Sequence, residues 1–97
     1  MPKAYVIFTE AIHDPDGMRA YEVASTAPIV ESGARVLAVD AGHTLEGAWH
    51  GDRTVLLEFP SVEAAHAWYD SAAYQAAAPL RQAAATTHAV ILSGFGA

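Results

Sequence analysis

Three kinds of residue in this 97-residue chain could do chemistry: carboxylates among apolar neighbours, a histidine beside glycine, and arginines able to hold an anion. Glu58 is the most informative. It interrupts the run Arg53–Phe59 (RTVLLEF), whose remaining residues are mostly apolar. A carboxylate there must be paired, hydrogen-bonded or protonated, because burying it alone costs too much. Either it is tied to Arg53, Arg81, Arg35 or the backbone after Pro60, or it works as a general acid/base with a raised pKa. His43 follows Gly42 and can reach a cavity with Tyr5 or Trp49. A neutral imidazole is a serviceable base near pH 7; an exposed loop histidine is the alternative. Glu46 lines a pocket mouth or is a solvated turn residue. Arg81 either clamps a carboxylate bidentately or ties its helix to Glu58 or Asp70. The candidate set is therefore His43, Glu46 and Glu58 for catalysis, with Tyr5, Trp49, Arg53 and Arg81 for binding.

Other chemistries leave no trace. The five histidines (13, 43, 50, 66 and 88) have neither helical zinc spacing nor a clustered ligand pattern, so no metal is expected. There is no glycine-rich phosphate loop, no cysteine and no local signature of haem or flavin, so no cofactor is expected. The net charge of −6, with one lysine and four arginines, argues against nucleic acid. No apolar run approaches the roughly 20 residues that span a bilayer, and the N-terminal run MPKAYVIFTE is too short for a signal peptide. A cytoplasmic protein without a membrane partner is the expectation.

These residues must be positioned by a single domain, residues 1–97. Lys3–Thr9 reads as a first strand, apolar on both faces. Asp14-Pro15-Asp16 opens a helix with a cap, a proline at the first position and an acidic first turn. Pro28 should break or kink that helix near Thr26-Ala27, with a second short piece from Pro28 to Ser32 that Gly33 ends. Ala34–Asp40 is a second strand. The extended path resumes over Thr44–Trp49, and His50-Gly51-Asp52 turns the chain in a hairpin to the third strand, Arg53–Phe59. Ser61 caps the helix bearing Trp68-Tyr69, Asp70-Ser71 breaks it, helix resumes from Ala72 and Pro79 kinks it. His88–Ser93 is the fourth strand.

The order β-α-β-β-α-β predicts an α+β, ferredoxin-like domain: a four-stranded antiparallel sheet with helices on one face. The other face keeps apolar side chains from every strand, and 53% of the chain is hydrophobic against 16% charged. A chain this size buries only about 60–70% of its unfolded surface. A homodimer packed sheet face to sheet face accounts for the excess.

Leu45-Glu46-Gly47, Arg53-x-Val55-x-x-Glu58-Phe59-Pro60-Ser61, Ala67-Trp68-Tyr69-Asp70-Ser71, Tyr74 and Arg81-Gln82 together resemble the family designated domain of unknown function 1330. The resemblance covers almost the whole chain and implies a ferredoxin-like member of the dimeric α+β barrel superfamily. Members often carry Arg-Gly-Gly at the end of the second strand. Here Asp40-Ala41-Gly42 stands there, which removes an anion contact. By likeness of fold, the wider superfamily implies a cofactor-independent isomerase- or cyclase-type enzyme with a small apolar or aromatic substrate. A non-catalytic dimeric ligand-binding or stress-related module is the other reading.

Overall fold

The sheet is built around its first strand. In a computed structural model that describes residues 2–96, β1 (Ala4–Ile12) pairs antiparallel with both β3 (Arg53–Phe59) and β4 (Ala85–Ser93), and β2 (Arg35–Asp40) pairs antiparallel with β3. The order across the sheet is β2-β3-β1-β4. Helix α1 (Pro15–Glu31) makes the first crossover; α2 (Val62–Asp70) and α3 (Ala72–Ala84) make the second. This is the expected ferredoxin-like arrangement, with the second helical segment in two parts. Among the described residues no helix is long and apolar enough to cross a membrane.

The caps act as their residue types require. The Asp14 carboxylate accepts the Gly17 N–H at 3.1 Å, and Ser61 Oγ accepts the Ala64 N–H at 3.1 Å. Ser71 serves two helices: its hydroxyl donates to the Trp68 carbonyl at 2.8 Å and accepts the Tyr74 N–H at 3.2 Å. One residue thus ends α2 and starts α3.

Four local expectations are corrected. Pro28 does not break α1. Its ring is buried and its carbonyl accepts the Ser32 N–H at 3.1 Å, so the last turn closes past the missing donor. Pro79 lies within α3, which runs without a break from Ala72 to Ala84. β4 starts at Ala85 rather than His88, and β1 runs on to Ile12. Thr86 and Thr87 extend the ladder because threonine is β-branched and suits a strand despite its hydroxyl. Residues 44–49 form no strand, and β2 and β3 are joined by the loop 41–52 instead of a tight hairpin. Gly42, Gly47 and Gly51 all have positive φ there, which turns the chain repeatedly and prevents an extended path.

Alternation on the strands sorts the sheet into two faces. Ala4, Val6, Phe8 and Glu10 of β1 and Val55, Leu57 and Phe59 of β3 face the helices, against Met18, Tyr21, Trp68 and Tyr74. Trp68 anchors this core, with ring centroids 4.3 Å from Tyr74, 5.2 Å from Phe59 and 6.2 Å from Phe8. The opposite face carries Tyr5, Ile7, Leu56, Val90 and Leu92, and among the described residues no helix covers it. Val90 and Leu92 remain 47% and 46% exposed.

Candidate functional site

The register of β1 on β3 sets Glu10 directly opposite Arg53. Both point to the helix side, by the same parity as Phe8 and Val55. Glu10 is only 2% exposed. Its Oε1 accepts from Arg53 Nε at 2.8 Å, while Arg53 Nη1 donates to Glu22 Oε1 of α1 at 3.3 Å. Burial, the strongest single influence on Arg53, favours loss of its proton. The Glu10 bond and charge, with Glu22 behind them, outweigh burial and hold the guanidinium pKa above its ordinary value.

This ion-paired cluster forms the polar end of a cavity of about 190 Å³ between α1 and the sheet. Its walls include Phe8, Tyr21, Ile29, Val39, Val55 and Leu57. Oε1 of Glu10 is the oxygen that Arg53 engages. The cavity offers an apolar body with two carboxylates, Glu10 and Glu22, and the Arg53 guanidinium at its end, a combination suited to orienting a small molecule with a single polar group.

A second polar cluster lies against the same walls. The Tyr21 and Tyr74 hydroxyls are 2.7 Å apart. Burial, then the neighbouring Tyr74, pushes the Tyr21 phenol far above its ordinary pKa. Arg81 of α3, 4% exposed, lies 5.1 Å from the centroid of Phe8 and 5.8 Å from that of Tyr21. Burial is again the strongest influence and lowers the Arg81 pKa, but Tyr74 and Tyr21 together reverse it, so the side chain stays a cation. Among the described residues its Nε has no hydrogen-bond partner.

The residues singled out from sequence do not converge on one place. His43, Glu46 and Trp49 come together with Thr54 along a separate cavity of about 450 Å³, open to solvent, in the loop 41–52. The Trp49 indole N–H donates to Thr54 Oγ1 at 2.8 Å. Glu58 and Tyr5 are cross-strand neighbours on the outer face. Glu58 is held by Lys3 Nζ at 3.2 Å and Arg35 Nη1 at 3.6 Å; Arg53 and Arg81 are not its partners. Of the seven, Arg53 alone lines the cavity under α1, with Arg81 behind its wall. Glu10 and Glu22 are the residues that sequence reasoning passed over. Ending the first strand at Thr9 hid the parity that puts Glu10 on the same side as Val6 and Phe8. Among the described residues, no three His, Asp or Glu side chains converge as metal ligands.

Comparison with solved structures shows the same fold. RPA0582 of Rhodopseudomonas palustris, a protein of unknown function, is 21% identical over 99% of this chain and 85% of that chain, with a TM-score of 0.77. SnoaB of Streptomyces nogalater, a cofactor-independent oxygenase, is 9% identical over 100% of this chain and 97% of that chain, with a TM-score of 0.71. A dimeric ferredoxin-like protein of unknown function from Thermobifida fusca is 16% identical over 95% of this chain and 91% of that chain, with a TM-score of 0.63. At these identities the likeness is one of fold. No curated protein matches the sequence. The model of the domain of unknown function family DUF1330 matches residues 3–95, nearly the whole chain, and the protein belongs to that family.

Proposed function

We propose that the cavity between α1 and the sheet binds a small, mainly apolar or aromatic molecule, and that the protein is a cofactor-independent enzyme of the isomerase, cyclase or oxygenase kind. The observation that carries this reading is the buried Glu10, paired with Arg53, at the end of an apolar cavity. A carboxylate so placed can accept or return a proton at a ligand's polar group while Arg53 fixes its orientation. The fold shared with SnoaB, described as a cofactor-independent oxygenase, is consistent with such chemistry but specifies no reaction. His43 and Glu46 are further acid–base candidates, in the loop cavity beside Trp49.

The proposal includes a homodimer formed through the outer sheet faces. The uncovered Tyr5, Ile7, Leu56, Val90 and Leu92 support it, as does the dimeric state of similar structures. The other reading, a ligand-binding module without catalysis, is favoured by one fact: both strand carboxylates, Glu10 and Glu58, are engaged by cations.

Native mass spectrometry of protein purified from its own host tests the cavity. A retained small molecule, lost in Val36→Phe, is the expected result, since Val36 lines the cavity and is 56% exposed, so the larger ring narrows the cavity without disturbing the core. A ligand unaffected by Val36→Phe would place binding elsewhere. Turnover of that molecule by wild type but not by Glu10→Gln separates enzyme from binding module.

A further inference from the structure

The loop 41–52 lies across one end of the outer sheet face. Thr54, Thr9 and His88 are cross-strand neighbours on that face, by the same parity as Leu56, Ile7 and Val90. The Trp49 indole rests on Thr54 through its N–H bond, and the His50 ring lies 5.0 Å from that of His88. Further along, Gly51 passes so close to the Glu10–Ala11 backbone that no side chain would fit there. Thr9, between Thr54 and His88, is consequently buried although it points away from the helices. The loop thus walls one end of the outer face, and the cavity holding His43 and Glu46 opens along that wall, with Thr54 in its lining. Leu45 and Trp49, which also line it, are exposed.

The two ends of this face differ in charge. At the loop end stand three exposed carboxylates, Asp40, Glu46 and Asp52. At the other end the exposed Lys3 and Arg35 flank Glu58, which leaves an excess of positive charge. Two copies packed with their loops together would set carboxylate against carboxylate, which disfavours that direction. Packed in opposite directions, each loop lies over the other copy's Lys3–Arg35 corner. A two-fold axis running across the strands exchanges the ends in this way. From this placement we infer that the loop cavity is a shared site, completed by a second copy of this chain, whose Lys3 and Arg35 close it over His43 and Glu46. The inference rests on the homodimer of the proposed function and adds its direction and what it builds. Closure buries Trp49, and it gives the cavity acid–base groups from one protomer and cations from its partner.

Trp49 reports this closure without any ligand. It is 53% exposed and Trp68 is 3% exposed, so acrylamide quenching of the free protomer comes chiefly from Trp49. As concentration rises through the dimerisation midpoint seen in light scattering, quenching should fall and emission should move to the blue. Trp49→Phe should lose that change, and Val90→Lys should stay quenchable at every concentration. Glu46→Arg and Arg35→Glu test the direction. Both side chains are exposed, so the fold is kept, as circular dichroism can verify. Each alone breaks two symmetry-related contacts and should weaken the dimer at least about tenfold, and the two together should recover most of the loss. A dimer whose Trp49 quenching is unchanged overturns the shared cavity and leaves the homodimer intact. A double variant no tighter than the singles overturns the opposed packing. A protein monomeric at every concentration overturns both the shared cavity and the homodimer.

Discussion

Replacing Arg53 with methionine isolates the Glu10 carboxylate. Glu10 is 2% exposed and the Arg53 side chain 25%, so the pair lies between an exposed ion pair and a fully buried one. Exposed pairs contribute about 0–1 kcal/mol, whereas breaking a buried pair costs about 3–5 kcal/mol because a lone charge is left behind. The 2.8 Å bond and the near-complete burial of the carboxylate put Arg53→Met nearer the second limit, at about 2–3 kcal/mol. In a domain of this size that is a large part of a total of about 5–15 kcal/mol. It lowers the melting temperature by roughly 4–8 °C per kcal/mol. Glu10→Met with Arg53→Met should recover most of the loss, because both side chains lie beside Phe8, Val55 and Leu57.

Urea unfolding of the wild type, both single variants and the double variant gives the coupling directly. Protein concentration must be held fixed, since dimerisation would make stability concentration-dependent. The Arg53 pKa is raised above its ordinary value, so its share of the stability is present below that range and is lost only as pH rises through the folded value. The loss in Arg53→Met should therefore not change between pH 7 and 9. A cost below about 0.5 kcal/mol, or a double variant whose loss equals the sum of the singles, would refute the claim that Arg53 compensates a buried charge.

Alkaline titration reports on Tyr21. Its folded pKa is far above the ordinary 10.0, so its contribution is complete below pH 10 and declines above it by about 1.4 kcal/mol per pH unit as the unfolded phenol ionises; Tyr21→Phe should remove that slope, and an unchanged slope in urea melts contradicts the assignment. Gly51→Ala should cost about 1–3 kcal/mol in thermal unfolding. Its φ is +76°, a Cβ there would overlap the Glu10 carbonyl, and the neighbouring Asp52 N–H bond to that carbonyl, 2.7 Å long, would be displaced; a neutral substitution would show that the loop does not rest on β1. Val90→Lys, on the outer face, should convert a dimer to a monomer in light scattering; a wild-type protein already monomeric at micromolar concentration contradicts sheet-to-sheet packing.

Legibility in the sequence followed the range of the forces involved. Caps at Asp14, Ser61 and Ser71 depend on residues three apart, and their types announce them. Strand faces follow from alternation, so the two-faced sheet and its uncovered side could be read directly. The loop 41–52 could not. It is held by the Asp52 N–H to the Glu10 carbonyl and by the Ile12 N–H to the Asp52 carboxylate at 3.0 Å, contacts about 40 residues apart in the chain. The site failed to emerge for a related reason. Glu10 looked like the polar end of a strand, and the pairing of Glu10 with Arg53 on β3, together with that of Thr87, Thr86 and Ala85 with Glu10, Ala11 and Ile12, carries β1 far enough to make it interior. Glu58 drew attention because it interrupts an apolar run, yet it serves the outer face.

Glu10 and Glu58 answer the same structural need on opposite faces and at opposite ends of β1–β3. Each has a cation directly across a ladder: Arg53 opposite Glu10 on β1–β3, and Arg35 opposite Glu58 on β2–β3. A slip of one residue in either ladder would move a whole strand's side chains to the wrong face. It would also part a carboxylate from its cation. Apolar strands such as VIF and VLLEF discriminate weakly between registers, because a slipped pairing still sets hydrophobic residues opposite one another. The paired charges add a penalty that hydrophobic matching lacks: a stranded buried charge costs several kcal/mol. Both carboxylates thereby fix register, and register in turn decides which side chains line the space under α1. Of the two, Glu10 borders that space. The same residue that locks β1 to β3 is thus the one whose position a ligand would read, so weakening the lock should alter binding before it unfolds the sheet.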